Sequence, residues 1–151
     1  MTLILFICRG NTCRSPMAEI TARAGGFTGT RFASAGVAVT APGGPADLRA
    51  IDCVAAVGLD LRQHRTRAVS VDLLAPAQRI FALDRSVRDS LFKTLPAIVH
   101  PRIALLLDLV PSLGLHDVAD PWSGTAVDYA HAFDLIQQAV AALRAEKRRD
   151  Q

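Results

Sequence analysis

The apolar run Leu3-Ile4-Leu5-Phe6-Ile7 passes directly into Cys8-Arg9-Gly10-Asn11-Thr12-Cys13-Arg14-Ser15-Pro16, and this junction restricts the possible folds more than any other feature of the chain. An unbroken apolar strand is buried on both faces, which is the situation of a strand in a parallel sheet covered by helices on both sides. Gly10 and Asn11 tolerate the left-handed backbone angles of a tight turn, so the strand, read as Thr2 to Ile7, ends there. Ser15 suits a helix N-cap and Pro16 the first helical position, predicting a helix through about Ala24. A strand that ends in a tight loop opening a helix gathers backbone N–H groups and the positive end of the helix dipole at one point. Such a point holds an anion, and a phosphate fits it well.

The rest of the chain continues the alternation. A short strand is expected at Arg31 to Ala35, then the turn-rich stretch Ala41-Pro42-Gly43-Gly44-Pro45, then a helix from about Ala46 to Val57. Arg79 to Leu83 reads as a third strand leading into a helix from Asp84 to about Phe92, and Arg102 to Leu107 as a fourth strand. The last helix is expected from about Thr125 to Arg148, with Val127, Ala130, Phe133, Ile136, Val140 and Leu143 as its core stripe. The expected fold class is therefore α/β: one three-layer domain over residues 1–151, a four-stranded parallel sheet flanked by helices, with a phosphate-binding loop after the first strand. Ligands of such sheets bind beyond the carboxyl ends of the strands, where the Cys8–Ser15 loop lies.

Composition excludes several classes. The 151 residues, 50% hydrophobic and 21% charged, suit one globular core rather than a disordered or fibrous chain. The longest apolar runs, Leu3–Ile7 and Ile103–Leu107, fall far below the roughly 18–20 residues of a membrane span. The start lacks the basic region and cleavage site of a signal peptide, so a cytoplasmic location is expected. Three cysteines make an odd count without disulfide-framework spacing, and no Cys or His pair sits at metal-ligand spacing, so neither a structural bridge nor a bound metal is expected. The net charge of +3 is modest and much of it lies in Arg144, Lys147, Arg148 and Arg149. That tail reads as a solvated helix end that complements the macrodipole, or else as an electrostatic docking element. No nucleic-acid partner is expected, and the chain is expected to act as a monomer.

The loop also carries chemistry. A thiol at the first position of an anion nest, among inward-pointing N–H groups and an arginine, has its thiolate stabilised, which makes Cys8 the candidate nucleophile. Alone, a cysteine at a strand end would be a small buried hydrophobe. Arg14 can present a guanidinium fork to two phosphoryl oxygens and tighten on the charge that develops in the transition state. Ser15 can donate its hydroxyl proton to the thiolate, and Arg9, Gly10, Asn11, Thr12 and Cys13 complete the wrap around the phosphate.

The run Leu5-Phe6-Ile7-Cys8-Arg9-Gly10-Asn11-Thr12-Cys13-Arg14-Ser15-Pro16-Met17-Ala18-Glu19 resembles the N-terminal signature of low-molecular-weight protein-tyrosine phosphatases. The similarity extends through Ser34-Ala35-Gly36, Asp47-Leu48-Arg49-Ala50, His64-Arg65-Thr66-Arg67 and Ala82-Leu83-Asp84, so it covers essentially the whole chain. It implies a cofactor-free phosphomonoesterase that hydrolyses phosphotyrosine in protein or peptide substrates through a cysteinyl-phosphate intermediate. Asp120-Pro121-Trp122 resembles the acid-bearing loop of that family, which makes Asp120 the general acid that protonates the leaving group. Apart from the loop upstream, Asp-Pro would read as a turn initiator. By the same resemblance Trp122 walls one side of the substrate slot, and Cys13 matches a cysteine that can form a reversible disulfide with the nucleophile, the alternative being a packed loop residue.

Three positions depart from the family pattern. No aromatic residue stands near Thr40, where the opposing wall of the slot falls. Arg9 replaces a small or apolar residue, and could sit on the rim and favour acidic substrates or be merely solvated. Thr12 replaces a branched aliphatic, and in this it resembles protein-arginine phosphatases of the same fold, which are therefore the alternative function. Arsenate reductases share the loop but draw on further mid-chain cysteines, where this chain has only Cys53, which reads as core. A phosphoryl carrier would need no general acid, so Arg14 with Asp120 argues against it. His64, His100, His116 and His131 have no evident partners and read as structural or solvated.

Overall fold

The computed structural model describes residues 1–151. Strand β1 (Thr2–Cys8) lies inside a four-stranded parallel sheet, with β2 (Thr30–Gly36) on one side and β3 (Arg79–Ala82) then β4 (Ile103–Leu105) on the other. The sequence explains that central place. Ile4, Phe6 and Cys8 face a large core cluster, while Leu3, Leu5 and Ile7 face a second cluster on the opposite side of the sheet. With apolar residues pointing both ways, β1 has to be covered on both faces. On the larger face Phe6 stacks between Phe32 and Phe81, with centroid separations of 6.0 Å to each.

Helices α1 (Arg14–Arg23), α2 (Leu48–Ala55) and α5 (Ala126–Arg149) cover that face, and the short α3 (Val71–Leu74) with α4 (Arg85–Thr94) covers the other. The strands and principal helices fall where the sequence predicts them, except that β4 is shorter and gives way to a 3₁₀ turn at Leu106–Leu109. The four-residue α3 was not expected. It has only Leu74 buried, too little for a periodic signal. No helix is long and apolar enough to cross a membrane.

Two local expectations are corrected. Val127 and Ala130 are exposed, and the buried stripe of α5 begins instead with Tyr129, Ala132, Phe133 and Ile136. Counting back from Ile136 in steps of three loses about 60° per step in an α-helix, so the count drifts off the buried face at Ala130 and reaches the opposite side at Val127. Ser15 is not an N-cap. Helix α1 begins two residues earlier, at Arg14, Cys13 occupies the cap position without a side-chain cap, and the Ser15 hydroxyl is engaged elsewhere. The loop holds the helix entrance so that its backbone donors are not consumed by a cap.

Candidate active site

The carboxyl end of β1, the N-terminus of α1 and the segment preceding α5 meet at a cavity of about 280 Å³ lined by Cys8, Arg9, Gly10, Thr12, Cys13, Arg14, Ala38, Thr40, Asp120 and Trp122. Eight of the ten residues singled out in the sequence thus surround one space. The other two, Asn11 and Ser15, are fully buried and stand behind the loop, so the structure gives their side chains a supporting place and not a substrate-contacting one.

At the base of the cavity Cys8 Sγ lies 2.9 Å from Ser15 Oγ and 3.3 Å from the backbone nitrogen of Asn11. The N–H groups of Arg9, Gly10, Thr12 and Cys13 take part in no backbone hydrogen bond, which leaves them as anion donors. The loop reaches this shape because Asn11 adopts a left-handed φ of 56°, and it is pinned from outside by the Ala38 N–H donating to the Arg9 carbonyl (2.8 Å) and the Asp47 N–H donating to the Thr12 carbonyl (2.9 Å). Gly36, at the end of β2, passes beneath it so closely that an added Cβ would stand 2.6 Å from the Arg9 oxygen.

Arg14 is almost wholly buried, and its Nη1 donates to Asp84 Oδ2 (2.6 Å) and to the Val118 carbonyl (2.7 Å). Both Nη1 hydrogens are then committed, which leaves the Nε and Nη2 edge for a phosphoryl group, the geometry of a bidentate clamp. Burial opposes the charge, yet the guanidinium is held above its usual range by Cys8, Asp84 and Asp120 around it. Asp120 Oδ2 lies 3.5 Å from Arg14 Nη2, with the carboxylate half-exposed over the cavity. Its Oδ1 accepts the Trp122 N–H (3.1 Å), which sets the turn after the acid. Trp122 is exposed on the cavity lining and is its only aromatic residue, Ala38 and Thr40 being the lining residues contributed by the loop after β2.

Cys13 is buried, with Sγ 3.2 Å from the Tyr129 hydroxyl, and burial pushes its thiol up from the ordinary range. Cys53 is half-buried against the large core cluster, and burial raises its thiol as well.

Sequence reasoning missed several supporting residues. Asp84, expected as the start of a helix and as part of the similar stretch Ala82-Leu83-Asp84, does cap α4 by accepting the Val87 N–H (2.7 Å), but its other oxygen holds Arg14. His64, read as lacking a partner, meets the Asn11 carbonyl at 2.8 Å through Nε2. Because a carbonyl only accepts, Nε2 carries the proton, and burial holds the imidazole below its usual range. The Asn11 amide is gripped by the Arg67 N–H, Ser15 and Ser34. The only signal for this set was that His64-Arg65-Thr66-Arg67 and Ser34-Ala35-Gly36 belong to the resemblance.

The family model for low molecular weight phosphotyrosine protein phosphatase matches residues 3–151. The chain belongs to that family. Low molecular weight protein-tyrosine phosphatase A of Mycobacterium tuberculosis is 34% identical over 147 residues, covering 93% of this chain and 88% of the relative. A protein-arginine-phosphatase of Geobacillus stearothermophilus is 30% identical over 144 residues, covering 95% and 94%. The solved arginine phosphatase from Geobacillus stearothermophilus superposes with a TM-score of 0.91 at 28% identity, over 100% of this chain and 96% of that one. Low molecular weight phosphatases with either substrate named thus share this fold and similar sequence.

Proposed function

We propose that this phosphatase hydrolyses phosphotyrosine in proteins or peptides by double displacement at Cys8. The observation that carries the reading is the convergence of the Cys8 sulfur, held by Ser15 and the Asn11 N–H, with the free edge of Arg14 and the Asp120 carboxyl in one cavity. The phosphoryl group sits in the loop with its oxygens on the backbone N–H groups and on Arg14. Cys8 attacks phosphorus as the thiolate, the S–P bond forms and the P–O bond to the leaving group breaks while Asp120 delivers its proton to that oxygen. In the second step Asp120, now a carboxylate, takes a proton from water as the water oxygen attacks phosphorus. The S–P bond then breaks, and inorganic phosphate leaves with Cys8 returned as thiolate. Ser15 supports the sulfur both as nucleophile and as leaving group. Trp122 offers a face on which a tyrosyl ring can stack.

Phosphoarginine is the second reading, supported by Thr12 on the cavity lining and by the similarity to an arginine phosphatase. Either reaction needs Cys8 reduced, in keeping with a cytoplasmic place of action.

The test is kcat/KM on one peptide sequence carrying phosphotyrosine or phosphoarginine, with Cys8→Ser and Cys13→Ser alongside. Cys8→Ser should be inactive and Cys13→Ser should keep most of the activity; the reverse result would move the nucleophile. A phosphoarginine preference above about tenfold, roughly 1.4 kcal/mol in transition-state binding, would replace the phosphotyrosine reading with the second one.

A further inference from the structure

We infer that Arg9 is a specificity residue that selects phosphorylated substrates with an acidic side chain beside the phosphorylated residue. The inference rests on the proposed phosphatase reaction but is independent of which phosphorylated residue is cleaved. Arg9 lines the cavity and is exposed, and its side chain joins no ion pair or hydrogen bond, whereas Arg14 in the same cavity is matched by Asp84 and faced by Asp120. The phosphoryl group is already provided for by the backbone donors and Arg14, so the Arg9 charge is surplus to holding it. The backbone from which it extends is nonetheless fixed, because the Arg9 carbonyl accepts the Ala38 N–H at 2.8 Å and lies close over Gly36. Ala38 and Thr40 on the lining are neutral, and the one carboxylate there, Asp120, lies against Arg14. A substrate seated by its phosphate therefore meets one unmatched positive charge at the rim. A neighbouring Glu or Asp completes that pair, and a neighbouring Lys or Arg is repelled.

The experiment compares kcat/KM for phosphotyrosyl peptides with Glu, Ala or Lys immediately before or after the phosphorylated residue, using wild type, Arg9→Leu and Arg9→Glu. Arg148→Leu, in the distant tail, serves as the control for net charge. The wild type should favour Glu over Lys by on the order of five- to tenfold, the product of one attraction and one repulsion at a partly screened surface. That preference should shrink as salt is raised from about 0.1 M to 1 M, where the Debye length falls from about 10 Å to 3 Å. It should approach unity in Arg9→Leu, invert in Arg9→Glu and persist in Arg148→Leu. A wild-type enzyme indifferent to the neighbouring charge overturns the inference whatever the variants do. So does a preference that survives in Arg9→Leu or is lost equally in Arg148→Leu. If no phosphotyrosyl peptide is turned over, the substrate reading fails by itself, and the same ratios on phosphoarginyl peptides decide the role of Arg9.

Discussion

Replacing Asp84 by Asn tests whether the clamp is held in place or merely present. One Asp84 oxygen caps α4 through the Val87 N–H while the other accepts Arg14 Nη1 at 2.6 Å, so the carboxylate uses both oxygens as acceptors. An amide has only one. If Asn keeps the cap, its NH₂ faces the Nη1 hydrogens, donor against donor; if it turns round, the cap is lost. Arg14 is 2% exposed and Asp84 19%, so the pair is neither fully desolvated nor a surface pair. A hydrogen bond to a charged group is worth about 1.5–3 kcal/mol, and the partial exposure of the carboxylate favours the lower half, about 2 kcal/mol. For a chain of this length that lowers Tm by about 4–8 °C. If the same loss is felt in the transition state through a misplaced guanidinium edge, kcat/KM falls by roughly 10- to 100-fold. Melting curves and para-nitrophenyl phosphate kinetics measure both quantities, with inorganic phosphate inhibition reporting ground-state anion binding. Asp60→Asn, which breaks an exposed pair with Arg62, should change neither. If Asp84→Asn melts lower but keeps kcat/KM and phosphate inhibition within twofold of wild type, Val118 alone orients Arg14 and the reasoning is wrong.

Asp120→Ala should lower kcat by about 10² to 10⁴, with smaller losses for better leaving groups; a uniform loss across a leaving-group series would place the acid elsewhere. Gly36→Ala should cost most of the activity, because its Cβ would stand 2.6 Å from the Arg9 oxygen and 2.9 Å from the Asn11 nitrogen, and wild-type kinetics in that variant would show that the loop is not confined from below. Burial holds the His64 imidazole below its ordinary value of 6.5, so the unfolded chain takes up a proton first as pH falls. Its contribution to stability is thus complete above about pH 6.5 and is lost as pH drops through the lowered folded value. His64→Gln should flatten that part of the Tm-against-pH curve, and an unchanged slope would assign it to another group.

The parts of this site that lie close together in sequence could be read from it. Cys8 and Arg14 stand at the two ends of one short loop, and the apolar run before them sets the sheet. Asp120 was read through the resemblance, since no local pattern separates a catalytic Asp-Pro from a turn. Ser15 has two outcomes: Ser-Pro before an apolar helix satisfies the capping rule, but α1 already begins at Arg14, whereas the expected approach of its hydroxyl to Cys8 is present at 2.9 Å. Asp84 illustrates the remaining limit. Its cap is a local property, but its grip on Arg14 depends on β3 pairing beside β1, and strand order is not a property of any periodic pattern. His64 and Arg67 reach the loop from a stretch between α2 and α3 with no regular structure, where composition gives no address.

The buried side of the loop also gives the hydrogen bonds a direction. The Arg67 N–H donates to Asn11 Oδ1 (3.0 Å), which fixes the orientation of the amide and makes its nitrogen the donor to both Ser15 Oγ (2.9 Å) and Ser34 Oγ (3.0 Å). Ser34, already accepting, donates its own hydroxyl hydrogen bond to Glu19 Oε1 (2.7 Å). Ser15, likewise accepting from Asn11, has its proton free for either the Cys8 sulfur at 2.9 Å or the Ala35 carbonyl at a longer 3.4 Å. Directed to sulfur, it places Cys8 as an acceptor, the role a thiolate fills and a thiol fills poorly. The left-handed turn at Asn11 costs about 1 kcal/mol, less for Asn than for most residues, and its hydrogen bonds with Cys8, Ser15, Ser34, His64 and Arg67 offset it. The backbone conformation that exposes the N–H groups to an anion and the side-chain network that presents Cys8 as an acceptor are therefore one arrangement, held by residues from β2, α1 and the segment before α3. Placing the Cys8–Ser15 sequence in a strand-loop-helix that lacks Ser34, His64 and Arg67 would reproduce the letters of the loop without the direction of its hydrogen bonds.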